Sequence, residues 1–166
     1  MTPPSVQLKV LDADVLQALV GGDVDAAGAA AGVAIPAWFA ADPWLWTLRL
    51  GQLIGEPEHA PWLIRAVLGP DGAVVGHAGY HGPPDPRGMV EIGYQIAPEH
   101  RRRGYARAAV QELLAFAGAH GATVARASIS PENAASLALV ASLGFVRTGE
   151  QVDEIDGLEL VFERQV

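Results

Sequence analysis

Four arginines stand within seven residues of the chain, Arg101, Arg102, Arg103 and Arg107, with Gly104 and Ala106 among them. Cations grouped around small residues suit an anion, and what they can do with it depends on the backbone that presents them. Upstream, Val90, Ile92, Tyr94 and Ile96 recur at every second position; downstream, Ala106, Ala109, Val110, Leu113 and Ala117 recur at three and four. A strand therefore gives way to a helix, and the arginines fall in the joint after Pro98. The first turn of a helix presents unpaired N–H groups at the positive end of its dipole, so this joint can cradle a phosphate. Gly104 and Ala106 are expected to keep the floor of the cradle open. The plainer alternative is a solvated basic turn.

A carboxylate, two histidines and two hydroxyls add proton-transfer chemistry. Glu91 lies in the middle of the apolar strand, where a carboxylate is costly unless it is paired or used, and desolvation strengthens it as a base. An ordinary salt bridge to Arg65, Arg87 or another cation is the competing account. His77 and His81 lie four apart on a predicted strand, hence on one face, and are reserve bases or structural histidines. They lack carboxylate or cysteine companions at suitable spacing for zinc, and no metal is expected. Ser130, Asn133 and Ser136 read as cap and first-turn residues of a later helix, with Ser136 one turn on from Asn133. The chain has no cysteine and no Gly-x-Ser-x-Gly elbow. Group transfer would then proceed by direct attack in a ternary complex rather than through an acyl-enzyme.

The pattern Arg101-x-x-Gly104-x-Ala106, after a strand and opening a helix, resembles the acyl-CoA pyrophosphate loop of the GNAT superfamily of N-acyltransferases. Glu91-Ile-Gly-Tyr-x-Ile before it, with Ser130-Pro-Glu-Asn-x-x-Ser136 and Leu143-Gly-Phe145 after it, resembles the branch that includes the ribosomal-protein alanine acetyltransferases. The resemblance covers roughly residues 63–162. It implies that backbone N–H groups around Arg102, Arg103, Gly104, Tyr105 and Ala106 hold the pyrophosphate, with Arg101 opening the motif. The strand containing Gln95 and Ile96 would pair with the pantetheine arm, and the Ile96 N–H would polarise the thioester oxygen. Asn133 would bond the pantetheine amides, Ser136 would lie near the thiol, and Glu91 would be the general base, directly or through water. One departure stands out: many members carry a tyrosine four residues before the Gly-Phe pair as the acid that protonates thiolate, and this chain has Val140 there. Ser136, a water or no acid at all must serve, and a thiolate with a pKa of about 8.5 needs only modest help.

These groups need elements to hold them. Residues 6–11 alternate as a first strand, and Asp12 offers an N-cap for a helix that runs through Val20 and ends at Gly21-Gly22. Residues 23–35 are expected to form at most a loosely specified, mobile helix. Asp42-Pro43 opens another, with Leu45, Leu48, Leu50, Leu53 and Ile54 as its apolar face and Gly55 as its stop. Residues 62–68 and 73–80 read as a hairpin around Pro70-Asp71-Gly72, followed by a strand over 89–97. A helix over 104–120, a strand over 123–130, a helix over 131–143 and a last hairpin around Asp156-Gly157 complete the chain. The order predicts an α/β (α+β) sheet of mixed direction, with a parallel, right-handed strand-helix-strand unit over 89–130. The resemblance implies a mostly antiparallel, GNAT-like sheet of about seven strands with helices on both faces. In open sheets ligands bind beyond the carboxyl ends of adjacent parallel strands, here the ends at Ile96 and Ile129.

At 166 residues, 50% hydrophobic and 18% charged, the chain reads as one domain, residues 1–166. Residues 1–60 would form the acceptor side and 61–166 the acyl-CoA core. Trp38, Phe39, Trp44 and Trp46 crowd the start of the third helix. They are core anchors or, as the resemblance implies, a wall of the acceptor pocket, for which Trp38, Trp44, Trp46 and His81 are the candidates. No run of about 18 apolar residues occurs and the start lacks a signal-peptide pattern, so no membrane partner and a cytoplasmic location are expected. A net charge of −8 disfavours nucleic acid as a partner and mildly favours cationic amines. The resemblance thus implies acetyl-CoA-dependent acetylation of a primary amine, either a protein N-terminus or a small molecule. The alternatives are a non-catalytic acyl-CoA sensor and, less well supported by the charge, a nucleic-acid binder. The last hairpin could present an edge strand for a homodimer.

Overall fold

The computed structural model describes residues 2–166, which form one seven-stranded sheet with helices on both faces. The chain runs β1 (Gln7–Val10), α1 (Ala13–Val20), α2 (Val24–Ala31), α3 (Pro43–Gly55), β2 (Ile64–Leu68), β3 (Val74–Tyr80), β4 (Met89–Ile96), α4 (Tyr105–Ala119), β5 (Val124–Ile129), α5 (Ala134–Ser142), β6 (Val146–Asp153) and β7 (Gly157–Gln165). The strand order is β1-β2-β3-β4-β5-β7-β6. Only β4 and β5 are parallel; every other neighbouring pair is antiparallel. The mixed α/β sheet expected from the element order is the sheet observed.

Each face of the sheet has its own core. On one side Tyr80, Val90, Ile92 and Ala127 pack against Val110 and Leu113 of α4 and Val140 of α5. On the other, Ala66 and Leu68 of β2 pack under Leu16 and Leu19 of α1, Trp46, Leu50 and Leu53 of α3, and Ala27 of α2. Local chemistry explains the entry of α1, where the Asp12 side chain accepts from the Val15 N–H at 3.1 Å. The turn between β2 and β3 closes through Gly69 N–H to the Ala73 carbonyl at 2.9 Å.

Four local expectations are corrected. The segment expected to be loosely specified is a capped helix, α2, with Asp23 accepting from the Ala26 N–H at 2.9 Å and Gly32 closing it at a φ of 71°. Its small residues are the reason it fits: Ala27 and Ala31 are buried, and a Cβ on Gly28 would lie 3.0 Å from the Val33 carbonyl oxygen. The buried side of α3 is Trp46, Arg49, Leu50 and Leu53, whereas Leu48 and Ile54, expected on the apolar face, are 41% and 67% exposed. Asp42 occupies the cap position of α3 but makes no side-chain cap bond. Trp62 belongs to a 3-10 turn (Pro57–Trp62) that precedes β2 rather than to the strand.

Candidate active site

Between the end of β4 and the starts of α4 and α5 lies a cleft of about 830 Å³. Gln95, Ile96, Arg101, Arg102, Gly104, Tyr105, Ala106, Asn133 and Ser136 all line it, so nine of the sequence-derived candidates meet in one place. Arg103 does not line it and is exposed. The first backbone bond of α4 runs from the Ala108 N–H to the Gly104 carbonyl at 3.0 Å, and no side chain caps the helix. Its leading N–H groups are therefore free for an anion at the positive end of a 15-residue helix. Arg101 is turned inward, its Nε donating to the Ile96 carbonyl at 3.0 Å, which ties the loop to the strand. Gly104 has a φ of 85°, and a Cβ on it would meet Pro4 Cδ at 2.8 Å. This glycine serves a left-handed turn and the close approach of the N-terminal segment rather than an open cradle floor.

The sheet itself supplies the wall. The parallel ladder of β4 and β5 pairs Met89, Val90 and Glu91 with Val124, Ala125 and Arg126, and ends there. Beyond it the strands part. Toward β3, the Ala97 N–H donates to the Val75 carbonyl at 3.0 Å and the His81 N–H to the Glu91 carbonyl at 2.9 Å. Odd-numbered residues of β4 thus bond β3, and the main-chain groups of Tyr94 and Ile96 turn to the unpaired side. Gln95 is turned the other way: its carbonyl faces Gly76 of β3, so the main chain of Tyr94 and the N–H of Ile96, not Gln95, are open to an extended ligand arm. Asn133 is the N-cap of α5 rather than a first-turn residue, its Oδ1 accepting from the Ser136 N–H at 3.1 Å. Its amide nitrogen is left to donate into the cleft.

Glu91 points to the opposite face of the sheet, at the point where the strands part. Its Oε1 accepts from the Ser128 hydroxyl at 2.7 Å, and its Oε2 lies 3.8 Å from His81 Nδ1. Ser128 Oγ accepts in turn from Gln151 Nε2 at 3.2 Å. Of the expected alternatives, a salt bridge to Arg65 or Arg87 is not formed, and the cation-forming side chain within 4 Å is His81. Arg65 lies 4.3 Å over the Phe116 ring on the α4 side, and Arg87 pairs with Asp85 at 3.3 Å. Burial pushes the His81 imidazole below its ordinary value against the pull of Glu91, so the contact between the two near neutral pH is not an ion pair. His77, the other reserve base, is core: its ring lies edge-on to Phe39 and Trp46, and burial lowers its pKa to about 4.

Residues 25–146 match the acetyltransferase (GNAT) domain family. The chain belongs to the GNAT acetyltransferase family. Among curated proteins it is similar to an uncharacterized N-acetyltransferase, YjdG, of Bacillus subtilis, at 39% identity over 75 residues. It is also similar to an L-2,4-diaminobutyric acid acetyltransferase of Nocardia farcinica, at 36% over 74 residues. The matched segments cover 44% of this chain in both cases, and 44% and 38% of those relatives, so the likeness spans less than half of their lengths. Among solved structures, a ribosomal-protein-S5-alanine acetyltransferase from Vibrio fischeri superposes with a TM-score of 0.69 at 19% identity, covering 99% of this chain and 95% of that one. A phosphinothricin acetyltransferase from Sinorhizobium meliloti, solved with AcCoA, gives a TM-score of 0.63 at 20% identity, covering 98% and 89%. At these identities the superpositions establish the GNAT fold.

Within this GNAT domain, three features differ from the sequence-based expectation. Val140, where a tyrosine was sought, is fully buried in the core, so that position has no access to the cleft. A phenol does line the cleft, on β4: Tyr94 stands there with Ser136, and its buried hydroxyl has no hydrogen-bond partner among the described residues. Burial pushes the Tyr94 phenol above its ordinary value, with Ser136 acting the other way, so it keeps its proton at neutral pH. Alternation with Ile92 and Ile96 disguised it as a core residue. Of the tryptophans, Trp46 is core, 1% exposed, stacked on Phe39 and donating to the Phe39 carbonyl at 2.8 Å, which corrects its assignment to an acceptor wall. Trp38 is half-buried against the same core and Trp44 is 54% exposed.

Proposed function

We propose that this GNAT protein is an acetyl-CoA-dependent N-acetyltransferase acting in the cytoplasm on a primary amine, by direct attack in a ternary complex. The observation that carries the proposal is the parting of β4 and β5 immediately after Glu91. An acyl group reaching between the parted strands from the cleft at α4 would meet the hydrogen-bonded Glu91 carboxylate on the other face. Acetyl-CoA would enter along Tyr94 and Ile96 with its phosphates at the start of α4, held by the N–H groups around Arg102, Gly104, Tyr105 and Ala106. The Ile96 N–H would stabilise the developing oxyanion. Glu91, held by Ser128, would take a proton from the amine as its nitrogen attacks the thioester carbon. The C–S bond then breaks, and the Tyr94 hydroxyl, beside Ser136, would protonate the departing thiolate.

The acceptor can be a small-molecule amine or a protein N-terminus on these grounds. The alternative, a non-catalytic acyl-CoA-binding sensor of the same fold, is motivated by Val140 in place of the tyrosine; the Tyr94 phenol in the cleft supports transfer instead. For the homodimer, the outer strand β6 is the candidate surface, since Val146 and Val152 on it are 67% and 80% exposed. The test is CoA release from acetyl-CoA with a panel of amines. Glu91→Gln is expected to lower turnover by a factor of about 100 to 10,000, the usual range for a general base, with acetyl-CoA affinity nearly unchanged. Equal turnover in the two proteins would sink the assignment.

A further inference from the structure

Arg49 is a buried cation that the transfer chemistry above does not use. It lies on the sheet-facing side of α3 with 8% of its surface exposed. Among the described residues no carboxylate stands within 4 Å of it, its one side-chain hydrogen bond is from Nη1 to Gln52 Oε1 at 2.8 Å, and its Nε is buried without a partner. An arginine does not shed its proton to escape such a site, so the charge stays without a counter-charge. The other buried arginine is not in this position: Arg65 donates to the Pro61 carbonyl and lies over the rings of Phe116 and Tyr80. The carboxylates that act on the neighbouring histidines, Asp42 on His77 and Glu91, Glu159 and Asp153 on His81, do not pair with Arg49, on which burial alone acts.

The location gives the unpaired charge a meaning. Gln52, which accepts from Arg49, donates its own Nε2 to the His81 carbonyl at 3.1 Å. His81 pairs across the strands with Glu91, backbone to backbone at 2.9 Å and side chain to side chain at 3.8 Å. Arg49 is thus two residues removed from the carboxylate read as the amine's proton acceptor, and both histidines of this face feel its charge. Gly93, next but one to Glu91 on the same face of β4, leaves space beside His81: a Cβ on it would have only His81 Nε2 within 4 Å, at 3.5 Å.

We propose that Arg49 is the anchor for a carboxylate on the acceptor, so that the substrate is an amine bearing a carboxylate a few bonds from the reacting nitrogen, an amino-acid-like molecule rather than a polyamine. A guanidinium fork matches a carboxylate in two parallel hydrogen bonds, and the incoming anion supplies the counter-charge the fold omits. A polyamine would add a second cation beside Arg49. This assignment rests on the reading of Glu91 as the amine side of an acetyltransferase.

The test compares L-2,4-diaminobutyrate, L-methionine and β-alanine, each with its own carboxamide, as acceptors for CoA release by the wild-type protein. A charge-assisted pair of this kind predicts that the favoured acid exceeds its amide by roughly 10- to 100-fold in kcat/KM, chiefly through KM. Arg49→Met collapses that ratio toward one. Its melting temperature does not fall below that of the wild type, because an unpaired buried charge has been replaced by an apolar side chain. Should the variant not fold, the wild-type acid-to-amide ratio still decides. Equal use of acid and amide by the wild type, or a ratio that survives Arg49→Met, would overturn the assignment while leaving acetyl transfer intact. Calorimetry of acetyl-CoA binding runs in parallel. No binding would overturn the transferase reading and this one with it, and binding without CoA release from any of the acids would overturn the acceptor class alone.

Discussion

Replacing His77 with leucine is expected to flatten the pH dependence of stability in a defined window. His77 lies between Phe39, 5.9 Å away at 89°, and Trp46, 5.4 Å away at 77°. Burial lowers its pKa from 6.5 to about 4, with Asp42 opposing the shift and Arg49 adding to it. Between those values the unfolded chain binds a proton at this residue and the folded chain does not. Stability from this group is therefore fully present above pH 6.5, is lost as pH falls toward 4, and loses nothing more below. At 1.36 kcal/mol per pKa unit the loss is at most about 3 kcal/mol, a large part of a typical 5–15 kcal/mol total. Urea unfolding of wild type and His77→Leu at several pH values from 7.5 to 4 isolates the effect, since the carboxylates titrate in both proteins. The stability difference should shift in favour of the variant by roughly 2–3 kcal/mol over that range. Parallel curves would mean that His77 is protonated in the folded state and that the aromatic packing around it does not exclude charge.

The phenol and the phosphate turn give further predictions. Tyr94→Phe removes an unpartnered buried hydroxyl, so thermal stability should hold or rise while turnover falls by about tenfold or more; unchanged kcat would remove Tyr94 as the acid. Gly104→Ala forces a Cβ against Pro4 at a φ of 85°, and is expected to cost about 1 kcal/mol or more of stability and to weaken acetyl-CoA binding measured by calorimetry. Leu16→Ala, at a fully buried position of α1, should cost about 2–5 kcal/mol by urea unfolding and leave the affinity for acetyl-CoA within about twofold. Sedimentation at rising concentration tests the homodimer, which Val152→Lys should dissolve if β6 carries it.

Much of the fold was legible because its signals are local. The Asp12 cap, the Pro70-Asp71-Gly72 turn and the change of period around Pro98 are each written in a few adjacent residues. The phosphate turn and Ser136 could be placed in one site because their segments follow two neighbouring parallel strands. What could not be read depends on contacts between distant segments. Alternation put Tyr94 among core residues, and only the assembled β4, α4 and α5 make it part of a cleft wall. Trp44 and Trp46 are two apart on a helix, and the register of α3 against β3 decides which is buried. The same register buries Arg49, a residue type that composition assigns to the surface. Gly104 was correctly singled out, but the neighbour that demands it, Pro4, is a hundred residues away in the chain.

Thermal unfolding with and without acetyl-CoA, with ATP as the phosphate control, tests the central claim most directly. A ligand at about a hundred times its dissociation constant adds roughly 2.7 kcal/mol, which in a domain of this size raises the midpoint by roughly 5 to 11 °C. The account predicts that shift with acetyl-CoA and little or none with ATP, since the proposed binding uses the pantetheine arm along Tyr94 and Ile96 as well as phosphate at α4. No shift with acetyl-CoA, or equal shifts with both, would contradict it.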